Sequence, residues 1–120
     1  MPELNFIEVS SGVSPVEKFL NKQSGRATAK ILREIKFLEK FGLVKMTERK
    51  VVKKIYNNPS VYELKVLTDK IWYRFPFVVD GNFFTIIDCF KKDTNKIEQK
   101  DIERVVQRAK ILLTKGKAAR

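Results

Sequence analysis

The chain has no histidine. That removes His-based serine and cysteine triads and zinc sites of the Cys/His kind. It has one cysteine, Cys89, so an intramolecular disulfide is excluded. Cys89 sits in an apolar run and reads as a small core residue, which fits a cytoplasmic protein. The five glycines are scattered, so there is no glycine-rich phosphate loop. No stretch approaches the roughly 18 apolar residues of a membrane span. Met1-Pro2-Glu3-Leu4 lacks the basic start and apolar run of a signal peptide. Acidic residues are also scarce, 14 against 25 Lys and Arg, for a net charge of +11. Any chemistry must be run by Lys, Arg, Tyr, Asp or Glu.

What is present suits one small domain. A length of 120 residues, 43% hydrophobic with nine Phe, supports a modest core. The charge points to a negatively charged partner, nucleic acid or an acidic protein.

The expected elements follow from periodicity and punctuation. Asn5–Val9 reads as a short strand. Ser14, Pro15 and Glu17 form an N-terminal capping signature for a helix to about Lys22. A longer helix is predicted from Arg26 to Phe41, with Ala27, Ile31, Ile35 and Leu38 on its core face, Leu32 on the edge and a Lys30–Glu34 pair one turn apart. Gly42 ends it. Leu43–Met46 is a short extended piece and Thr47–Lys54 a charged connector, and Asn57-Asn58-Pro59 forces a break. Three strand-like runs follow: Val61–Leu67, Ile71–Val79 and Phe83–Lys92. Thr68-Asp69-Lys70 and Asp80-Gly81-Asn82 are the turns between them. Pro76 cannot donate to a ladder, so its run should bulge there or have an unpaired side. Lys96–Leu113 returns to helical period, with Ile102, Val105, Val106, Ala109 and Leu113 on the apolar face, and Lys100, Arg104, Arg108 and Lys110 exposed. Residues 115–120 are expected to fray. The fold class is α+β: an N-terminal strand, two helices, an antiparallel hairpin sheet and a C-terminal helix.

Alternation assigns faces. Glu63 and Lys65 share one face of the first run; Trp72, Arg74 and Pro76 share one face of the second. Glu63, Lys65 and Arg74 can therefore lie side by side. Lys92, with the parity of Asp88, extends the patch, while Lys91 points away. The third run is apolar on both faces and reads as the central strand. Arg74, amid Trp72, Tyr73 and Phe75, is partly buried and needs an anion, either a side chain or a ligand. Glu63 is the side-chain candidate; a salt-bridged outer sheet face is the plain structural reading.

The stretches Val61-Tyr-Glu-Leu-Lys-Val66, Tyr73-Arg74-Phe75, Phe90-Lys-Lys-Asp-Thr-Asn-Lys96, Ile102-Glu103 and Ala109 resemble the RelE/HigB toxins, in particular their phage Gp49-like branch. Val16–Leu20 and Leu38…Gly42-Leu43 are similar to that branch as well. The resemblance spans about residues 5 to 113. It implies a small microbial-RNase-like domain that cleaves messenger RNA in the ribosomal A site as the toxin of a toxin–antitoxin pair. It also implies a cognate antitoxin bound in a heteromeric complex, or a monomeric toxin, with no cofactor and no membrane association. Carried across, Lys65 and Arg74 match basic positions of the active face, Lys92 a basic position at the end of the last strand and Lys91 its neighbour. Glu63 stands where some members have a lysine and others, as in this branch, a glutamate. The tyrosine that some members carry at the start of the last helix is missing from Asn95-Lys-Ile-Glu98.

RNA supplies its own nucleophile, the 2′-hydroxyl. Several cations crowding one phosphate make a metal unnecessary. On this reading Arg74 clamps the phosphate, Lys92 donates to the phosphate or leaving oxygen, and Lys65 or Glu63 takes the proton. Lys53, Lys54, Lys91 and Lys96 steer the backbone. The nuclease reading in this form requires Arg74 to face outward within a side chain's reach of Lys65 and Lys92, and fails with Arg74 turned into the interior. The alternatives are a non-catalytic nucleic-acid-binding module and a basic or antitoxin-type interaction domain for an acidic partner. The helix pair 14–22 and 26–41 offers few readers for sequence-specific DNA contacts beyond Lys30, Arg33, Lys36, Glu39 and Lys40.

Overall fold

The computed structural model describes residues 3–6, 14–81, 83–92 and 96–119, with side chains described over 14–79, 81, 83–92 and 96–114. The chain is a small α+β domain. Strand β1 (Glu3–Phe6) leads, then helices α1 (Pro15–Asn21) and α2 (Gly25–Glu48). Five strands follow: β2 (Val52–Asn57), β3 (Ser60–Thr68), β4 (Ile71–Asp80), β5 (Phe83–Ile86) and β6 (Phe90–Lys92). Helix α3 (Gln99–Ala119) closes the chain. The expected first strand overlaps β1 at Asn5 and Phe6; its remainder, 7–9, lies outside the described residues.

Helix α1 starts where its capping residues require. Ser14 Oγ accepts from the Glu17 amide at 3.2 Å and Pro15 occupies the first turn. Ser24 does the same for α2, accepting from the Ala27 amide at 3.1 Å. Ala27, Ile31, Ile35 and Leu38 are buried as their spacing demands, and Leu32 is exposed. Gly42 takes φ 83°, a left-handed conformation that costs glycine little, and it interrupts the helix. The helix then resumes over residues 43–48 instead of becoming extended, because Met46 is drawn fully into the core. The Lys30–Glu34 pair is not formed. Lys30 Nζ donates to the Leu67 carbonyl, and Glu34 turns to Arg49 at 3.7 Å.

The sheet runs β1-β5-β4-β3-β2, with β6 also paired to β4. Among the described strands, β1 and β5 pair parallel and the other pairs are antiparallel. Positive φ at both Asp69 and Lys70 gives the tight β3–β4 turn. Gly81 at φ 60° serves the next turn, whose Asn82 lies outside the described residues. The charged connector holds a strand that alternation did not announce: β2 pairs antiparallel with β3 from Val52↔Leu64 to Asn57↔Ser60.

Pro76 explains how the third run divides. On a strand, a residue's N–H and C=O point to the same neighbour. The Pro76 carbonyl accepts from the Ile87 amide at 2.9 Å, so its missing donor also faces that side. There the expected single strand 83–92 is broken. β5 pairs with Phe77–Asp80, β6 with Trp72–Arg74, and residues 87–89 between them pair in no ladder. The interruption also shifts parity. Phe84 and Ile86 face α1 and α2, whereas Phe90 packs toward α3.

Helices cover both faces. Under α1 and α2 lie Leu64, Val66, Tyr73, Phe75, Phe77, Phe84 and Ile86. Under α3 lie Val61, Val78 and Ile87, packed on Val105 and Ala109. The backbone of α3 is helical to Ala119, through most of the stretch 115–120 where fraying was expected.

Candidate functional site

Alternation placed the charged residues correctly. Lys65 is opposite Arg74, Glu63 opposite Pro76 and Lys53 opposite Glu63. Lys92 is opposite Trp72, two residues from Arg74 on the same strand face. Lys92 joins this face because the break at 87–89 shifts the parity, not because it continues the alternation of Phe84 and Ile86.

Arg74 differs from the outward-facing residue that a phosphate clamp requires. Its side chain is fully buried, and Nη1 lies 2.7 Å from Oε1 of an equally buried Glu63. The anion that Arg74 needs is thus a side chain. The physical reason is α3: it lies across this face, and a cation and a carboxylate beneath a helix can be accommodated only when paired. In this conformation both side chains are closed off from solvent, so neither is open to a phosphate from outside. Burial pushes the Glu63 carboxyl upward in pKa, and the charge of Arg74, with Lys53 and Lys65 behind it, pulls it back.

Lys65 stands at the edge of the pair. It is half-buried, with Nζ 5.4 Å from the centre of the Trp72 ring. Burial chiefly, then the charge of Lys53 and more weakly that of Arg74, lowers its pKa, while Glu63 opposes. The direction matches the expectation for Lys65; the leading cause is desolvation, with Arg74 only a minor contributor. Trp72 was not singled out from sequence, although its parity with Arg74 puts it on this face.

Lys92 is committed elsewhere. Its ammonium is 3.3 Å from Glu98 and 3.5 Å from Asp101, and the hydrogen bond to Glu98 leads in raising its pKa. It ties β6 to the start of α3. Of the four steering lysines, all are exposed. Lys53 flanks Glu63 on the Lys65 face. Lys54 lies over Tyr62, 5.8 Å from its ring centre, on the other face, and Lys91 is opposite Tyr73 there. Lys96 precedes α3.

A second cluster was hidden from sequence reading. Asp88, in the break, receives Arg104 at 2.9 Å, Arg108 at 3.1 Å and the Cys89 amide at 2.8 Å. Arg104 also reaches Asp101 at 3.2 Å. Two of the four basic residues expected on an open helix surface therefore clamp α3 to the sheet. Cys89 beside them has its thiol pushed up to about 12, first by burial and then by Asp88, so it is not a ready nucleophile. Among the described residues, no group of three His, Cys, Asp or Glu side chains is placed to hold a metal ion, and no helix is long and apolar enough to cross a membrane.

The family profile described as phage-derived protein Gp49-like (DUF891) matches residues 18–110. The matched segment contains both sheet faces, the Glu63–Arg74 pair, Lys65 and most of α3. No curated protein and no solved structure matches the chain. The chain belongs to the Gp49-like family.

Proposed function

We propose, on the premise that this is a Gp49-like protein, that it acts on RNA as a toxin of the RelE/HigB kind. On this reading it is a ribosome-dependent endoribonuclease with a RelE-like fold, held in check by a cognate antitoxin. One observation carries the reading: Lys65 is a lysine of lowered pKa on a cationic sheet face, beside an aromatic ring. A lowered pKa makes the proton of Lys65 easier to lose, and the neutral amine can accept one from a ribose hydroxyl.

The chemistry is then a transesterification. The 2′-oxygen attacks the adjacent phosphorus as its proton passes to neutral Lys65. The bond from phosphorus to the 5′-oxygen breaks, and that oxygen takes a proton from a cation on the same face, for which Lys53 is the exposed candidate. The products are a 2′,3′-cyclic phosphate and a 5′-hydroxyl. Arg74 and Glu63 are positioning residues here: the pair fixes the strand face that carries Lys65. Lys92 keeps its proton and anchors α3. A ribosome would supply much of the RNA positioning.

The burial of Arg74 and the pairing of Lys92 favour a second reading, an RNA-binding module without cleavage. Induced expression with mapping of messenger RNA ends separates the two. The toxin reading expects growth arrest and new 5′-hydroxyl ends with the wild type, and neither with Lys65→Ala of unchanged fold. RNA binding with no new ends supports the module. Cleavage by Lys65→Ala at the wild-type rate, or 5′-phosphate ends, overturns the assignment of Lys65.

A further inference from the structure

The open edge of β3 leads from Lys65 to a basic groove on the far side of the hairpin. β2 covers β3 only as far as the Val52↔Leu64 pair, after which the Lys65 amide donates to the Val51 carbonyl at 2.8 Å. Beyond that point the strand faces α2, and Lys30 fills the gap by donating to the Leu67 carbonyl. Two adjoining cavities result. One, of about 790 Å³, lies between the first half of α2 and the β3–β4 turn, with Arg26, Lys30, Arg33 and Lys70 on its walls. The other, of about 240 Å³, shares Lys30 and Leu67 with it and ends on Lys50, Lys65 and Trp72.

The charge of this groove is one-sided. Arg26, Lys30 and Arg33 recur at helical spacing and form a row along α2, one turn apart. The acidic residues along the two cavities are Asp69 and Glu34. Asp69 meets Arg26 across an exposed 3.6 Å pair, and Glu34 is buried against Arg49. Leu67 is 41% exposed and Trp72 partly so, giving apolar surface beside the cations. Cations in a row with an aromatic at one end is the pattern that binds single-stranded nucleic acid: phosphates on the charges, a base on the ring.

We infer that the groove between α2 and the β3–β4 hairpin is a binding track for single-stranded RNA, which runs from Lys65 and Trp72 past Lys30 to Arg33, Lys70 and Arg26. The inference rests on the RNA-directed reading of Lys65 and extends it along a surface that leads away from the reacting group. RNA is favoured over an acidic protein because the track is continuous with Lys65 and ends on Trp72.

The test is fluorescence anisotropy with a labelled single-stranded RNA of roughly 12 nucleotides, 2′-O-methylated so that it cannot be cut. Wild type is compared with Arg33→Ala/Lys70→Ala and with a charge-matched control, Lys18→Ala/Lys110→Ala. All four residues are exposed, and circular dichroism checks folding. The track predicts about a ten-fold or greater loss of affinity in the groove variant, with the salt slope flatter by about 1.4 for two lost phosphate contacts. The control should lose less affinity than the groove variant. Quenching of Trp72 fluorescence by the RNA should accompany binding. Equal losses in both double variants would mean diffuse charge attraction and overturn the track. If wild type binds this RNA and Lys65→Ala abolishes cleavage while the groove variant binds normally, the track is wrong and the reading of Lys65 stands. If wild type binds no RNA, the track is wrong, and cleavage on ribosomes by wild type against Lys65→Ala decides the reading of Lys65 separately.

Discussion

The two faces of the sheet are closed by different means. Under α1 and α2 the contact is hydrocarbon: Leu64, Phe75, Phe77 and Ile86 are fully buried against Ile31, Leu38 and Met46. Under α3 the cover is mixed. Val61, Val78 and Ile87 share that face with the buried Glu63–Arg74 pair and with Asp88 held by two arginines. Apolar burial contributes stability in proportion to area. A buried ion pair contributes little, because removing both charges from water offsets most of their attraction. One face therefore holds the fold together. The other keeps charges in place at little net gain, and it is the face that carries Lys65.

Paired substitutions sharpen this contrast most. Arg74→Ala leaves the Glu63 carboxylate buried without its cation and should cost about 3–5 kcal/mol in urea unfolding. Phe75→Ala, on the next residue but the opposite face, should cost a similar amount, about 3–5 kcal/mol, by leaving a cavity. The double variant Glu63→Leu/Arg74→Met separates the two causes. It should return to wild-type stability or exceed it, as hydrocarbon replaces charge of similar volume. A double variant as unstable as Arg74→Ala alone would show that the pair is a net source of stability, and the contrast between faces would be lost.

A smaller effect is readable in pH. Burial holds the Glu63 carboxyl above its ordinary value of 4.5. In the window between 4.5 and the raised folded-state value, the native state binds more protons than the unfolded chain. Its stability contribution is therefore complete below 4.5 and is lost as pH rises through the folded-state value. Glu63→Gln removes the titration and should flatten the stability profile over that window. Identical profiles for wild type and variant would mean that the attraction of Arg74 cancels the effect of burial on this carboxyl.

Much of the fold is legible along the chain because local chemistry decides it. The Ser14 cap, the Asp69–Lys70 turn and the stripe of Ile31, Ile35 and Leu38 need only their neighbours. β2 escapes reading because Lys53 and Lys54 are adjacent and blur its alternation; as an edge strand with a register shift between Lys54 and Tyr56, it takes its definition from β3. The break at 87–89 is also non-local, since it answers to Pro76 across the sheet. Alternation correctly joined Glu63, Lys65 and Arg74 on one face, but it carries no information on what covers that face. Burial of Arg74 follows from where α3 lies, and Arg104 and Arg108, which read as exposed charges on a helix, secure it there through Asp88.

The central claim is that Lys65 acts by giving up and taking back a proton, and Lys65→Arg addresses it directly, since arginine keeps the charge and cannot act as the base. The measurement is single-turnover cleavage of messenger RNA on ribosomes, followed across pH for wild type and Lys65→Arg. Wild-type cleavage should rise with pH and level off below the ordinary lysine value of 10.5, while Lys65→Arg should fall by about 10²–10⁴-fold at every pH. Lys65→Arg cleaving at the wild-type rate with the same profile would contradict the account, leaving Lys65 as a phosphate contact and the proton transfer to another group.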